Sequence, residues 1–122
     1  MILDTNFLIG VLNGKEDAAQ KLRELKDKRE PMLVPPGVLY ELYSGADSDE
    51  EVKRIENELN RAELTPAVEK EAAQIRKKLM SDGKPISSVD YLIAGTARHL
   101  NEKILTNDSH FDKVPEVETE GF

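Results

Sequence analysis

Apolar residues along this chain fall into two patterns: short uninterrupted runs, and longer stretches where they recur every third or fourth position. "MILD" is a run of the first kind, ending in Asp4, and reads as a buried strand. "PMLVPP" is too short for a helix and is bracketed by prolines, so it also reads as a strand. "KILT" is a third, and "VETEGF" supplies a last one. Helical stripes lie between them. Phe7, Leu8, Val11 and Leu12 mark a helix that Gly14 stops, and Ala18, Leu22 and Leu25 line one face of a charged helix over residues 16–29. Pro36 is placed to open a helix through "PGVLYELYSG", closed by Gly45. Ser48 and Glu51 have capping-box spacing and introduce a helix to about residue 61, with Val52, Ile55 and Leu59 inward. Thr65-Pro66 starts another, whose stripe Val68, Ala72, Ile75 and Leu79 runs to Gly83. "SSVDYLIAGTARHLN" repeats the pattern with Val89, Leu92, Ile93, Ala97 and Leu100.

Short apolar strands alternating with helices predict an α/β fold, with a mostly parallel sheet covered on both faces. No linker, repeat or low-complexity tract interrupts the pattern, and 122 residues suit a single domain over 1–122. In such sheets ligands gather at the carboxyl ends of the strands. Asp4 and Asp108 each lie just past a predicted strand end, so both are expected at that rim.

Composition narrows the chemistry. Cysteine is absent, which removes disulfides, thiolate metal sites and Cys nucleophiles. The only histidines are His99 and His110, too few to favour a zinc site or a Ser-His-Asp triad. No apolar run approaches the roughly 18 residues of a membrane span, and no signal-peptide pattern opens the chain. The expectation is a soluble cytoplasmic protein with no membrane partner. A net charge of -7 argues against holding nucleic acid by bulk charge. It leaves open a nucleic-acid substrate held through metal ions and a local basic patch. Arg54, Arg61, Arg76, Lys77, Lys78 and Lys84 are candidates for such a patch, although charged helix faces are usually just solvated.

Each acid near the predicted rim has an ordinary explanation when taken singly. Asp4 precedes a helix and would serve as its N-cap. Glu41 lies within a helix and could face solvent, but it shares a stripe with Val38 and Gly45. Asp90 follows Ser87 by three and could complete a capping box, yet it also shares a face with Ile93, Ala94 and Ala97. Asp108 could close an Asx turn. Together they suggest more. Converging carboxylates raise one another's pKa, and a hard divalent cation such as Mg²⁺ or Mn²⁺ resolves that conflict with oxygen ligands. Phosphate chemistry is where such a cation is most useful.

"ILDTN", "YEL", "VDYLIAGTA" and "ILTNDSHF" carry these acids in order, and the set resembles the PIN-domain ribonucleases from end to end. Within that family the chain is similar to the small VapC-type toxins of VapBC toxin–antitoxin pairs. The resemblance implies a three-layer α/β/α, PIN-like domain and an Mg²⁺- or Mn²⁺-dependent endoribonuclease that cleaves RNA with metal-activated water. It implies Asp4 and Asp90 as main metal ligands, with Glu41 and Asp108 completing the quartet. Thr5 and Thr106 fall where the family often places small hydroxyl residues near the site. It also implies a cognate antitoxin and a homodimer. Gly10 departs from the pattern, since many relatives carry a polar or acidic residue there. Asn6 occupies a variable position and is assigned no role. His110 is expected beside Phe111 or in solvent rather than in catalysis, and Asp112 on the surface. The alternatives are a housekeeping RNA-processing nuclease and a catalytically silent PIN binding module. A phosphotransferase or receiver domain fits less well: Asn6 stands where a second Asp would be needed, and "PMLVPP" ends in prolines instead of Asp.

Overall fold

Ile2, Leu3, Ile104 and Leu105 are completely buried, as strands covered on both faces must be. They form β1 (Ile2–Leu3) and β4 (Ile104–Leu105), neighbours in a five-stranded sheet. The computed structural model describes residues 1–122. The other strands are β2 (Leu33–Val34), β3 (Asn60–Arg61) and β5 (Thr119–Glu120), in the spatial order β3-β2-β1-β4-β5. Every neighbouring pair is parallel. Parallel strands require crossovers, and helices supply them. These are α1 (Thr5–Leu12), α2 (Glu16–Asp27), α3 (Val38–Gly45), α4 (Asp49–Glu58), α5 (Pro66–Ser81) and α6 (Ser88–Leu100). They sandwich the sheet in three layers. A 3-10 turn over Ser109–Lys113 links β4 to the last strand. No helix is long and apolar enough to cross a membrane.

The predicted stripes form the core. Phe7, Leu8, Ala18, Leu25, Val52, Ile55, Ala72, Ile75, Leu79, Ile93 and Ala97 all join one apolar cluster with the strands. Helix α6 lies tightly against α5 because Gly95 has no side chain: a Cβ there would sit 2.8 Å from the Ala72 backbone nitrogen. Gly10 has a similar reason. It is buried, and an added Cβ would lie 3.0 Å from the Ala18 methyl, where α1 meets α2. A polar or acidic side chain would not fit that contact.

Several local expectations need correction. The helix predicted to reach residue 61 ends at Glu58, and Asn60–Arg61 becomes edge strand β3, bonded to β2 by backbone alone. Both β3 side chains are exposed, so no apolar alternation announces the strand. The Ser48 hydroxyl accepts from Glu50 N at 3.3 Å, which is a simple N-cap and not a reciprocal box with Glu51. Pro36 does not begin α3. The helix starts at Val38, after Gly37 takes the N-cap position at φ +92°, a left-handed conformation suited to glycine. Leu100 is 41% exposed at the C-terminal end of α6 rather than inward.

Candidate active site

The register of β1 on β4 builds the centre of the site. Leu3 pairs with Leu105, so the next residues, Asp4 and Thr106, emerge side by side at the carboxyl ends of these strands. Asp4 N donates to Leu105 O, and the Thr106 hydroxyl donates to Asp4 Oδ2 at 2.6 Å. The chain winds from β1 outward to β3, then returns to place β4 on the other side of β1. The β1–β4 boundary is therefore a topological switch point, where open α/β sheets leave a crevice for ligands.

Three further acids approach from different elements. Asp108 follows β4 and is steered by Thr106, whose hydroxyl oxygen accepts from Asp108 N at 2.9 Å. Asp90 comes from the first turn of α6, where Ser87 caps the helix by accepting from Asp90 N. Glu41, in the first turn of α3, accepts from the Thr5 hydroxyl at 2.5 Å. Both predicted threonines thus hold an acid directly. Asn6 lies at the margin, its side-chain oxygen 3.5 Å from the Thr106 hydroxyl.

Asp4 is the most constrained of the four. It is 5% exposed, and its Oδ1 accepts from Thr5 N at 2.7 Å, so it is the helix cap that the sequence allows. Burial pushes its carboxyl up to about 6, against the lowering effect of the Thr106 and Thr5 hydrogen bonds; the charges of Asp90 and Asp108 add to the rise. That influence puts Asp4, Asp90 and Asp108 in one electrostatic neighbourhood. Glu41 is not among the groups that shift Asp4, and its hydrogen-bonded link to the cluster runs through Thr5.

His110 is exposed, as the sequence suggests, but it also stands beside two of the acids, which sequence reasoning did not foresee. Its Nδ1 lies 3.1 Å from Asp108 Oδ2 and 3.6 Å from Asp90 Oδ2, while its side chain is 56% exposed. The available signal was the spacing of Asp108 and His110: an Asx turn brings the carboxylate to the N–H two residues on. Here Asp108 Oδ1 accepts from His110 N at 2.9 Å. Asp112 has no contact with the site acids. Of the basic candidates, Lys78 is engaged by Asp82, whereas Arg54, Arg61, Arg76, Lys77 and Lys84 are exposed.

The donor chemistry suits a hard cation: carboxylate oxygens, no thiol, and a buried carboxyl whose negative form is disfavoured by its surroundings. No three His, Asp or Glu side chains are grouped closely enough to ligate one ion by themselves. Mg²⁺ does not require such a cage, since it is usually held by one or two carboxylates with waters and substrate phosphates. The pairings within reach of Asp4 involve Asp90 and Asp108. A cleft of about 760 Å³ opens at the other end of the sheet beside Lys21, Glu102 and Lys103. The acids do not line it, and its Lys21 is committed to Glu120 at 2.8 Å.

The chain is similar to known proteins in family and in fold. The family model for the PIN domain matches residues 1–117. A tRNA(fMet)-specific endonuclease VapC of Shigella flexneri is 29% identical over 127 residues, covering 98% of this chain and 95% of its own. Ribonuclease VapC19 of Mycobacterium tuberculosis is 29% identical over 121 residues, covering 96% of each. Among solved structures, VapBC2 from Rickettsia felis bound to a promoter DNA fragment superimposes with TM-score 0.88 at 22% identity, over 99% of this chain and 97% of that one. DNA-bound VapBC from Salmonella typhimurium gives 0.84 at 23%, over 98% and 96%. The structural likenesses show a shared fold.

Proposed function

Because the chain belongs to the PIN domain family, we propose that it is an endoribonuclease that hydrolyses RNA with Mg²⁺ or Mn²⁺. We assign it further as the toxin of a toxin–antitoxin pair. The observation that carries the reading is Asp4, a buried carboxyl held at the sheet's switch point with Asp90 and Asp108 near enough to raise its pKa. Caps scattered on unrelated helices have no reason to converge in this way. The relatives named as an endonuclease and a ribonuclease support the chemistry.

Asp4 and Asp90 are the main groups to hold the cation, with Asp108 and Glu41 completing the acidic rim. Bound there, the cation supplies charge neutralisation at the scissile phosphate and lowers the pKa of a water. The chain's own residues do the orienting. Thr5 N–H and the Thr106 hydroxyl fix the two oxygens of Asp4, so its carboxylate cannot rotate away. The Thr5 hydroxyl anchors Glu41 by one oxygen and leaves the other to align a water on the phosphorus. The exposed Arg54, Arg61, Arg76, Lys77 and Lys84 are available for RNA phosphates. No side chain here is a plausible covalent nucleophile with its base, which suits direct attack by water.

A partner protein is supported by the VapBC complexes that share the fold. A groove of about 340 Å³ between α1, α3 and α4 is lined by Ile9, Leu12, Leu42 and Val52, with Glu41 on its wall. An amphipathic segment with a basic side chain would fill it and neutralise the acid at once. We also assign a homodimer and a cytoplasmic location, on the family resemblance.

The test is cleavage of RNA by the purified protein. Activity should need Mg²⁺ or Mn²⁺, vanish in EDTA, and leave 5′-phosphate and 3′-hydroxyl ends. Asp4→Asn should lose roughly two orders of magnitude or more, the scale seen when charge-stabilising groups are removed from active sites. Products ending in 2′,3′-cyclic phosphate, or full activity in Asp4→Asn, would overturn the mechanism. Growth arrest on expression, unrelieved by the product of the neighbouring gene, would remove the toxin assignment and leave the nuclease.

A further inference from the structure

Asp108 differs from the other acids in how it is held. Asp4 sits at a strand end, and Asp90 and Glu41 stand on helices, but Asp108 rides on the short link between β4 and the 3-10 turn. A carboxylate on such a link needs local restraint to point one way. One residue touches both of its oxygens: His110 gives its backbone N–H to Oδ1 at 2.9 Å, and its Nδ1 lies 3.1 Å from Oδ2. The same nitrogen is 3.6 Å from Asp90 Oδ2, so the imidazole stands between acids delivered by two separate elements. We propose that His110 is a positioning residue, gripping Asp108 at both oxygens and setting the spacing between Asp108 and Asp90 at which a divalent cation is received. Its value to the site rests on the reading of these acids as cation-facing.

The chemistry specifies a tautomer. A bare Nδ1 lone pair would stand 3.1 Å from Asp108 Oδ2 and 3.6 Å from Asp90 Oδ2 and be repelled by both, so the proton of the neutral ring belongs on that nitrogen. A neutral imidazole carries one ring proton, so with that proton on Nδ1 the other nitrogen, Nε2, is left bare. The ring itself is more than half exposed and contributes little to the core. Replacing it should therefore spare the fold while loosening Asp108. Outer partners that orient ligating groups typically matter ten- to a hundred-fold in metal affinity.

Two measurements at pH 8 decide the matter. The first needs no metal: imidazole nitrogen shifts read by NMR in EDTA. His110 should be the Nδ1–H tautomer in the wild type and lose that preference in Asp108→Asn, whose amide can present a donor to the ring. A wild-type ring protonated on Nε2 would overturn the proposal. The second is the affinity for Mn²⁺ alone, by calorimetry. His110→Ala should bind about ten-fold or more weakly with an unchanged melting temperature in EDTA. His110→Asn, which returns a donor near the place of Nδ1, should recover much of the loss, whereas His110→Gln, which mimics Nε2, should not. Equal affinity in wild type and His110→Ala, or no difference between the Asn and Gln variants, would also overturn it. A wild type that binds no Mn²⁺ would sink the metal reading of the whole site, and the tautomer would still decide whether His110 grips Asp108.

Discussion

At Asp4, local structure and site chemistry pull in opposite directions. As an N-cap it is well placed, and Asn caps about as well as Asp. As a buried charge near two other acids it opposes folding of the metal-free protein. Burial pushes its carboxyl in the folded protein up to about 6, above the ordinary 3.8. A raised pKa contributes stability that is present below the unfolded value and lost as pH rises through the folded one. About two units at 1.36 kcal/mol each amounts to roughly 3 kcal/mol lost between about pH 4 and pH 7. In EDTA at neutral pH, Asp4→Asn should therefore melt higher than the wild type, and the advantage should shrink on acidification. A variant less stable at every pH would mean that burial is not the dominant cost. Thr106 lies at the other end of the same bond. Its hydroxyl gives its proton to Asp4 and accepts from Asp108 N, while being 4% exposed. Thr106→Val strands both partners and should cost about 1–3 kcal/mol in urea unfolding, with Thr106→Ser close to wild type. It should also raise the Asp4 pKa further, since this hydrogen bond holds it down.

Helix packing shows where small residues are required. Gly95→Ala would drive a methyl into the backbone of α5, with Ala72 N at 2.8 Å, and neither helix can yield without disturbing the core. The expected loss is about 1–3 kcal/mol. Gly45→Ala, where an added Cβ meets nothing within 4 Å, should be neutral or slightly stabilising. Chemical denaturation of the two variants separates packing from helix propensity. The same scale shows what could be read from sequence. The stripes of α5 and α6 and the runs at β1 and β4 announce themselves because burial forces a periodicity. β3 does not, since Asn60 and Arg61 bury nothing and are held by backbone bonds to β2. Asp4 and Thr106 were legible as residues at strand ends. Their contact depends on register, and register between strands a hundred residues apart leaves no mark in either segment. The contact of His110 with Asp90 was not legible for a related reason: Asp90 stands on α6, and spacing along the chain does not reveal that neighbour.

For the whole molecule, metal binding and stability should be linked. Mn²⁺ at about 100 times its dissociation constant should stabilise the wild type by roughly 2.7 kcal/mol, provided the unfolded chain does not bind it. The increment should shrink sharply in Asp4→Asn and Asp90→Asn, which thermal melts with EDTA and with Mn²⁺ would reveal. Equal shifts in all three proteins would mean that these acids share no metal. The pairing of β1 with β4 has one more consequence, and it concerns the order in which the chain is made. Asp4 is synthesised before Thr106 and Asp108, which follow about a hundred residues later. Until β4 emerges, β1 lacks one neighbour and Asp4 has no hydroxyl to fix it. A nascent chain that has not reached β4 therefore has no assembled pocket, and the proposed cleavage of RNA has to wait until that strand is made.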